Sequence, residues 1–487
     1  MSPASTDPHH ARRWLILAIL GLAQLMVVLD ATIVNIALPS AQQDLGFSDE
    51  SRQWIVTAYA LAFGSLLLLG GRIGDLFGRK WVFIAGLIGF AVASALGGAA
   101  QSFGLLVGAR ALQGLFGALL APAALSLLTT TFTEPSERNK AFGVFGAIAG
   151  SGAAVGLLLG GILTEYLSWR WCLYVNLGFA GIAAFGAFTL LTNSAHPDKP
   201  RLDVPGTITA SAGLFGLVYG FSHAAETSWS NTTTIVALVG GAVLLTAFVA
   251  IQRRVAHPLL PLRVVLDRDR GGSYLAVGLS GIAIFGVFLF LTYYLQQNLD
   301  FSPIASGAAF LPMTFAIMLT ATTSQTKLLP RVGARPLVGA GLVLGMVGML
   351  YLTGIGTDSS YWTHVFPALL IMGAGFGLIF APAIATATLG VEPGDAGVAS
   401  AMVNTMQQIG GSIGTALLST LAASATTSAL AGKQPTPDLI AQAAVHGYTT
   451  AFYWSAAIFA VAAVVCTALL RGGVHEPSQA GEPVLAH

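Results

Sequence analysis

Two ionisable residues sit where charge is costly. Asp30 lies in MVVLDATIVNIALP (26–39) and is the only charged residue between Trp14 and Leu38. Arg110 lies in a second apolar run, LVGARALQGLFGA (106–118). A charged Asp at the centre of a membrane-spanning helix costs about 2.5–3.5 kcal/mol, so such residues face a protein interior or an ion pathway. Low-dielectric surroundings favour the neutral carboxyl, so Asp30 has the chemistry of a protonation switch, taking a proton from one side and releasing it to the other. The structural alternative has Asp30 pinning neighbouring helices by hydrogen bonds, with Arg110 snorkelling or serving as a hydrogen-bond hub. No nucleophile–base pair or metal-ligand cluster accompanies them, so enzyme chemistry is not expected, nor a metal or cofactor. No G-x-x-x-x-G-K-[ST] phosphate loop is present, so the chain has no visible means of using ATP itself.

The elements that must position these groups follow from composition. The 487 residues are 55% hydrophobic and only 9% charged, against about 25% charged in soluble domains. The mean hydropathy is +0.75. Apolar runs of about 20 residues, enough to span a bilayer as helix, recur along the chain. The ten-residue alternation of a membrane barrel is absent. An all-α polytopic membrane protein is therefore predicted. Polar breaks give fourteen spans, starting near Trp14, Trp54, Trp81, Phe103, Ala141, Trp171, Leu202, Thr232, Ser273, Ile304, Pro336, Trp362, Ala396 and Thr449. The first run is too long for a signal-peptide core and reads as an uncleaved span.

With a cytoplasmic N-terminus, every Lys and Arg falls inside except Arg52, Arg170, Lys433 and the span-embedded Arg110. The positive-inside rule then places both termini in the cytoplasm. The two cysteines, Cys172 and Cys466, lie in apolar runs and form no disulfide framework. A net charge of +1 without a basic tail gives no reason to expect nucleic acid. The largest breaks are 252–272, basic and internal, and 425–448, external.

An internal repeat organises the spans. FGALLAPA (116–123) returns as FGLIFAPA (376–383), on the fourth and twelfth spans. GRIGDLFGRK (71–80) has a faded counterpart in LPRVGARP (329–336). Parallel repeats of this kind place substrate and ion sites between two halves, near the bilayer midplane. The division that follows is a tail 1–13, a six-helix bundle 14–195, a two-helix insertion 196–251, a basic loop 252–272, a second six-helix bundle 273–471 and a tail 472–487. Arg110 aligns with Leu370, so the second half lacks the arginine.

These stretches resemble the major facilitator superfamily, and within it the fourteen-span drug:proton antiporter group. The resemblance is carried by GRIGDLFGRK between spans two and three, LVGARALQGLFGA on span four and LDATIVNIALP (29–39) on span one. GAIAGSGAAVGLLLGG (146–161), the following SWRW (168–171) and GVASAMVNTMQQIGGSIG (397–414) add to it. It implies proton coupling through Asp30 and Arg110. It also implies a conformational latch between the halves at Gly71, Arg72, Gly74, Asp75, Gly78, Arg79 and Lys80. An acid at a helix end can bind an opposing helix N-terminus, which is the part assigned to Asp75; the positive-inside rule alone accounts for the basic residues. The chain departs from the group at Leu157, where Gly-Pro is expected, and at NLG (176–178), where proline is common. Helix packing is expected at Gly146, Gly150, Gly152, Gly156, Gly160 and Gly161.

Polar and aromatic residues within the spans are candidates to line a cavity: Asn35, Tyr59, Gln113, Asn176, Tyr293, Gln296, Asn404, Gln407 and Gln408. Helix–helix hydrogen bonding is the alternative for each. Some members of the group this chain resembles export dications and carry an extra acid in the tenth span. Here 304–326 has no Asp or Glu, so the resemblance implies monovalent cationic or neutral lipophilic substrates. The resulting expectation is a monomeric, proton-coupled exporter in the cell membrane, surrounded by lipid and exchanging protons for a small amphipathic substrate. A dedicated exporter of one metabolite, a symporter and a transport-dead sensor of the same fold remain alternatives.

Overall fold

The computed structural model describes residues 12–47, 49–192, 202–434 and 436–473, apart from the side chains of some helical residues, Asn35 and Glu226 among them. Fourteen long helices carry the fold: α1 (Arg13–Leu45), α2 (Asp49–Phe77), α3 (Arg79–Gly98), α4 (Phe103–Thr131), α5 (Pro135–Tyr166), α6 (Trp171–Leu190), α7 (Val204–Glu226), α8 (Thr232–Gln252), α9 (Arg268–Gln297), α10 (Ile304–Val332), α11 (Ala334–Leu352), α12 (Tyr361–Ala387), α13 (Ala396–Leu430) and α14 (Pro437–Leu469). Among the described residues, thirteen are long and apolar enough to cross a membrane. The other is the 32-residue, glycine-rich α5. The chain is a multi-pass membrane protein.

Local capping moves several boundaries away from those expected. The Glu134 side chain accepts from the Glu137 amide and Pro135 occupies the first turn, so α5 begins well before Ala141. The break expected over 425–448 is mostly helix. Helix α13 runs on to Leu430, and Thr436 caps α14 ahead of Pro437. The loop 252–272 contains a short helix, Leu262–Leu266, and the first turn of α9, capped by Asp267.

The repeat is visible in the packing. In the first half α1 packs on α5 and α6, α2 on α4, and α3 on α4 and α6. In the second half α9 packs on α13 and α14, α10 on α12, and α11 on α12 and α14. Adding eight to each helix number converts one pattern into the other. The shared FGxxxAPA segments put Pro122 and Pro382 inside α4 and α12. Its glycines take up matching positions, Gly117 against Phe63 of α2 and Gly377 against Thr320 of α10. The two turns also match: Gly78 has φ 94° between α2 and α3, and Gly333 has φ 76° between α10 and α11. Glycine alone adopts such backbone without strain.

The halves meet along α2 with α13 and along α5 with α10 and α12. Helix α5 is the wedge between them. Gly152, Gly156 and Gly160 face Val28, Thr32 and Ile33 of α1, while Gly146 faces Ala381 and Gly161 faces Ile304 in the second half. The surroundings of Gly150 lie outside the described residues. Helix α5 runs unbroken through Leu157. The α7–α8 hairpin straddles the α2–α13 seam, where Leu68, Leu214, Phe248 and Val398 share one apolar cluster. Asp203 caps α7 and accepts from Gln252 at 2.7 Å, and Gln252 accepts from the Leu260 amide.

Candidate functional site: a buried acid–guanidinium network

Five helices converge on Asp30, which has no exposed surface. Arg110 of α4 donates from Nη1 to its Oδ2 at 2.6 Å. Gln113, one turn along α4, donates from Nε2 to Oδ1 at 2.9 Å, and Asn176 of α6 donates from Nδ2 to the same oxygen at 2.7 Å. Ser94 of α3 accepts from Gln113 at 2.8 Å and from Asn176 at 3.4 Å. Arg110 also donates to the Ile55 carbonyl of α2 at 3.2 Å and to Gln113 Oε1 at 2.8 Å. Its guanidinium lies over the Tyr59 ring, 4.5 Å from the centroid.

The helical register explains the gathering. Arg110 and Gln113 are three residues apart and share a face of α4. Gly114 beside them lets α4 close on α2, since a methyl there would lie 2.4 Å from the Tyr59 carbonyl. Gly156 does the same for α5 against α1 at Thr32, whose hydroxyl bonds back to the Leu29 carbonyl.

Every donor aimed at Asp30 suits its ionised form, and the ion pair is compensated by hydrogen bonds on both partners, the condition for holding buried charge. Toward the end of the bundle bearing Leu38 and Trp169, an apolar gap of about 10 Å³ reaches Arg110. That is room for about one water. A larger apolar crevice of about 290 Å³ lies elsewhere, between α1 and α5 beside Trp14.

Three expected cavity residues are corrected by this arrangement. Tyr59, Gln113 and Asn176 are buried within the first bundle as neighbours of the ion pair, because Asp30 and Arg110 together require that many polar partners. Asn404 is also buried and bonds its own helix at the Ser400 carbonyl, so it is not open to a cavity. Tyr293 is exposed and stacks on Tyr448 of α14. Gln296, Gln407 and Gln408 are half-buried, and Gln408 meets α2 beside Gly64 on the seam between the halves. The side chain of Asn35 lies outside those described. Ser94 carries no signal in sequence, being one serine in an apolar helix.

A second cluster sits at the end of the bundle where both described termini lie. GRIGDLFGRK is not the loop it reads as: α2 continues to Phe77 and the turn is confined to Gly78. Asp75 therefore sits in the last turn of α2, accepting from Arg79 at 3.0 Å and from the Gly397 amide at the start of α13 at 3.2 Å. The carboxylate thus meets the positive end of a helix from the other half. Gly71 makes the approach possible, since a methyl there would lie 2.5 Å from the Gly397 carbonyl oxygen. Gly74 has open space and ordinary helical backbone, so it serves neither role. Lys80 is not part of the contact either; it donates to the Phe188 and Leu191 carbonyls and closes the end of α6. Arg72 is buried close to Asp75 and Asp395.

Further contacts surround this cluster, one between the halves and one from the connecting loop. Arg138 at the start of α5 donates to the Thr388 carbonyl and hydroxyl after α12. Arg263 of the connecting loop reaches both Glu392 and Asp395 at 2.7 Å. Burial pushes the Asp395 carboxyl above its ordinary range, against the lowering effect of Arg263 and Arg72. A carboxyl raised in the folded state favours folding at low pH and loses that contribution as pH rises through the folded value. The thermal midpoint of the wild type minus that of Asp395→Asn is therefore expected to fall as pH rises above the ordinary carboxylate range. A difference that rises with pH there would show that the arginines outweigh burial.

Two repeated six-helix bundles, a buried Asp30–Arg110 pair inside the first and a carboxylate–helix contact across their seam are the architecture of a membrane transporter. The chain belongs to the Major Facilitator Superfamily, which it matches over residues 20–415. It is 49% identical over 472 residues to the puromycin resistance protein pur8 of Streptomyces alboniger, covering 96% of this chain and 94% of that protein. It is 38% identical over 408 residues to the cephamycin export protein CmcT of Amycolatopsis lactamdurans, covering 83% of this chain and 84% of that one. Among solved structures, the human organic anion transporter MFSD10 (TETRAN) shares the fold with a TM-score of 0.62 at 16% identity, covering 93% of this chain and 99% of that one.

Proposed function

We propose that this protein is a proton-coupled exporter of small lipophilic or cationic antibiotics, working as a monomer in the cell membrane. The observation that carries the reading is the fully buried Asp30–Arg110 pair, with no surface role to justify it. The basic residues around the latch (Arg72, Arg79, Lys80, Arg263 and Arg270) favour the terminus-bearing end as the cytoplasmic one. Protonation of Asp30 from the outside weakens its hold on Arg110 and frees α1 to shift against α4. The latch at Asp75 and Gly397 then opens the cytoplasmic seam for substrate to enter. Release of the proton inward restores the ion pair, closes that seam and commits the substrate outward.

The names of the relatives put antibiotics first as substrates. Puromycin is the compound to test first, and narrow selectivity for it would favour a dedicated exporter over a broad one. The experiment uses purified protein in liposomes with an imposed pH gradient, following labelled puromycin and lumenal pH together. Opposed fluxes are expected. Co-directional fluxes would make it a symporter, and proton-independent puromycin flux would remove the coupling reading.

A further inference from the structure

We propose that Asn176 is a positioning residue that follows the protonation of Asp30, turning its amide over to donate to the carboxylate and to accept from the acid. The inference rests on the proton-coupling reading of Asp30 given above. Its starting point is an imbalance. Asn176 is fully buried, its Nδ2 faces Asp30 at 2.7 Å and Ser94 at 3.4 Å, and its Oδ1 has no partner among the described residues. Buried polar atoms are nearly always bonded, and an exception asks for a reason.

The neighbouring amide is not free in this way. Gln113 accepts from Arg110 through Oε1 and donates to Asp30 and Ser94 through Nε2. A guanidinium has no acceptor and keeps its protons, so turning Gln113 over would set donor against donor. Arg110 fixes Gln113, whereas no described group bonds the Asn176 carbonyl.

The same asymmetry says where a proton goes. Oδ2 of Asp30 is held by Arg110, so an arriving proton settles on Oδ1, the oxygen facing both amides. The new O–H then needs an acceptor where Asn176 Nδ2 stands. A half-turn of the side-chain amide brings Oδ1 to that place, and this terminal torsion is broad and two-fold. Ser94 fits both orientations, because a hydroxyl accepts or donates as required. No proton resides on Asn176 at any point. It arrives at and leaves from Asp30, and the amide only changes which atom it presents.

The titratable groups that sense Asp30 are Arg110 of α4, Tyr59 of α2 and Cys172 of α6. Those of α3 and α5 lie at the helix ends: Arg79 and Lys80, and Glu137, Arg138, Lys140, Glu165 and Tyr166. Without the turn, the acid form would leave its O–H facing an amide N–H, and protonation would be opposed. With it, Asp30 is hydrogen-bonded in both states, the unpartnered place passing from the Asn176 carbonyl to its NH2, and the proton can load and unload.

The test is an infrared difference spectrum between acid and alkaline states of the full-length protein, with ¹³C-labelled asparagine carbonyls. A carboxylic-acid band absent from Asp30→Asn is expected at acid pH. An asparagine carbonyl band absent from Asn176→Leu is expected to move to lower frequency in step with it. Should Asn176→Leu not fold, Asn176→Asp keeps the shape and assigns the band. An Asp30 acid band that appears while the Asn176 carbonyl stays still would overturn the proposal and leave proton coupling standing. Absence of any Asp30 acid band would overturn both. In liposomes, Asn176→Leu is expected to slow exchange about tenfold, the effect of one buried hydrogen bond, with KM for substrate unchanged. A change confined to KM would place Asn176 in substrate binding instead.

Discussion

Asp30→Asn is expected to abolish proton-driven exchange and to lower thermal stability at the same time. The two losses have different causes, and a second variant separates them. Removing one member of a buried ion pair leaves the other charge uncompensated, at a cost of about 3–5 kcal/mol. Arg110 is buried in its present place, with 1% of its side chain accessible and only a gap of about 10 Å³ reaching it. Replacing both residues by apolar ones removes the stranded charge, which is often neutral or stabilising. Asp30→Leu with Arg110→Leu is therefore expected to recover most of the lost stability, although Gln113 and Asn176 lose their partner. Exchange should not recover. Moving one proton across 100 mV releases about 2.3 kcal/mol, enough for roughly 50-fold accumulation per charge. Both variants should bring accumulation down to the level of empty liposomes. Thermal unfolding and puromycin flux on the same preparations decide it. Gradient-driven flux retained in a folded double variant would make Asp30 a structural pin after all.

Much of this architecture is legible in sequence because it is written as hydropathy. Runs near 20 residues set the helices, and the FGxxxAPA repeat sets the pseudo-symmetry that the packing reproduces. The misread boundaries have a common physical origin. The stretch 425–448 is rich in Ala, Ser, Thr and Gln, mild enough to pass for an aqueous loop yet composed largely of residues a helix tolerates. Helices α13 and α14 therefore extend into it. Similarly, GRIGDLFGRK carries three glycines at loop-like density. Only Gly78 uses a backbone that requires glycine, and Gly71 uses the missing side chain.

The site was legible by exception. Asp30 and Arg110 stand out because charge is rare in apolar runs, and spacing along α4 puts Gln113 beside Arg110. Which polar residues of other helices join them depends on helix rotation, which a pattern of weakly amphipathic spans does not fix. Asn176 and Tyr59 therefore read as cavity residues until the bundle is seen. Ser94 could be found only in three dimensions. The acidic segment EPGD (392–395) facing the basic connecting loop is a signal that charge pattern could have raised, since Arg263 pairs with both of its acids.

The largest conformational effect is expected from Gly397→Val. A side chain at Gly397 would begin 2.4 Å from the Gly71 carbonyl oxygen and 2.7 Å from both carboxylate oxygens of Asp75. Backbone cannot yield as a flexible side-chain end can, so the seam must part and Asp75 must lose the Gly397 amide. Each half remains internally packed, because α13 contacts α9 and α14 through other faces. The variant should therefore fold, with a thermal midpoint close to that of the wild type, yet hold the terminus-bearing end open. Spin labels placed on Phe77 of α2 and Leu389, in the segment between α12 and α13, would report a longer and broader distance distribution than in the wild type. Exchange should fall to background, since closure of that seam is needed once in every cycle. Asp75→Asn is the milder comparison: it removes charge but leaves space, and an acid at a helix N-terminus contributes about 0.3–2 kcal/mol. Its closed-to-open ratio should therefore drop by between about 2-fold and 30-fold, with exchange slowed and not lost. If both variants instead show wild-type distances and wild-type flux, the contact between Asp75 and α13 is packing alone, and the control of access must lie with the Arg138 and Arg263 contacts beside it.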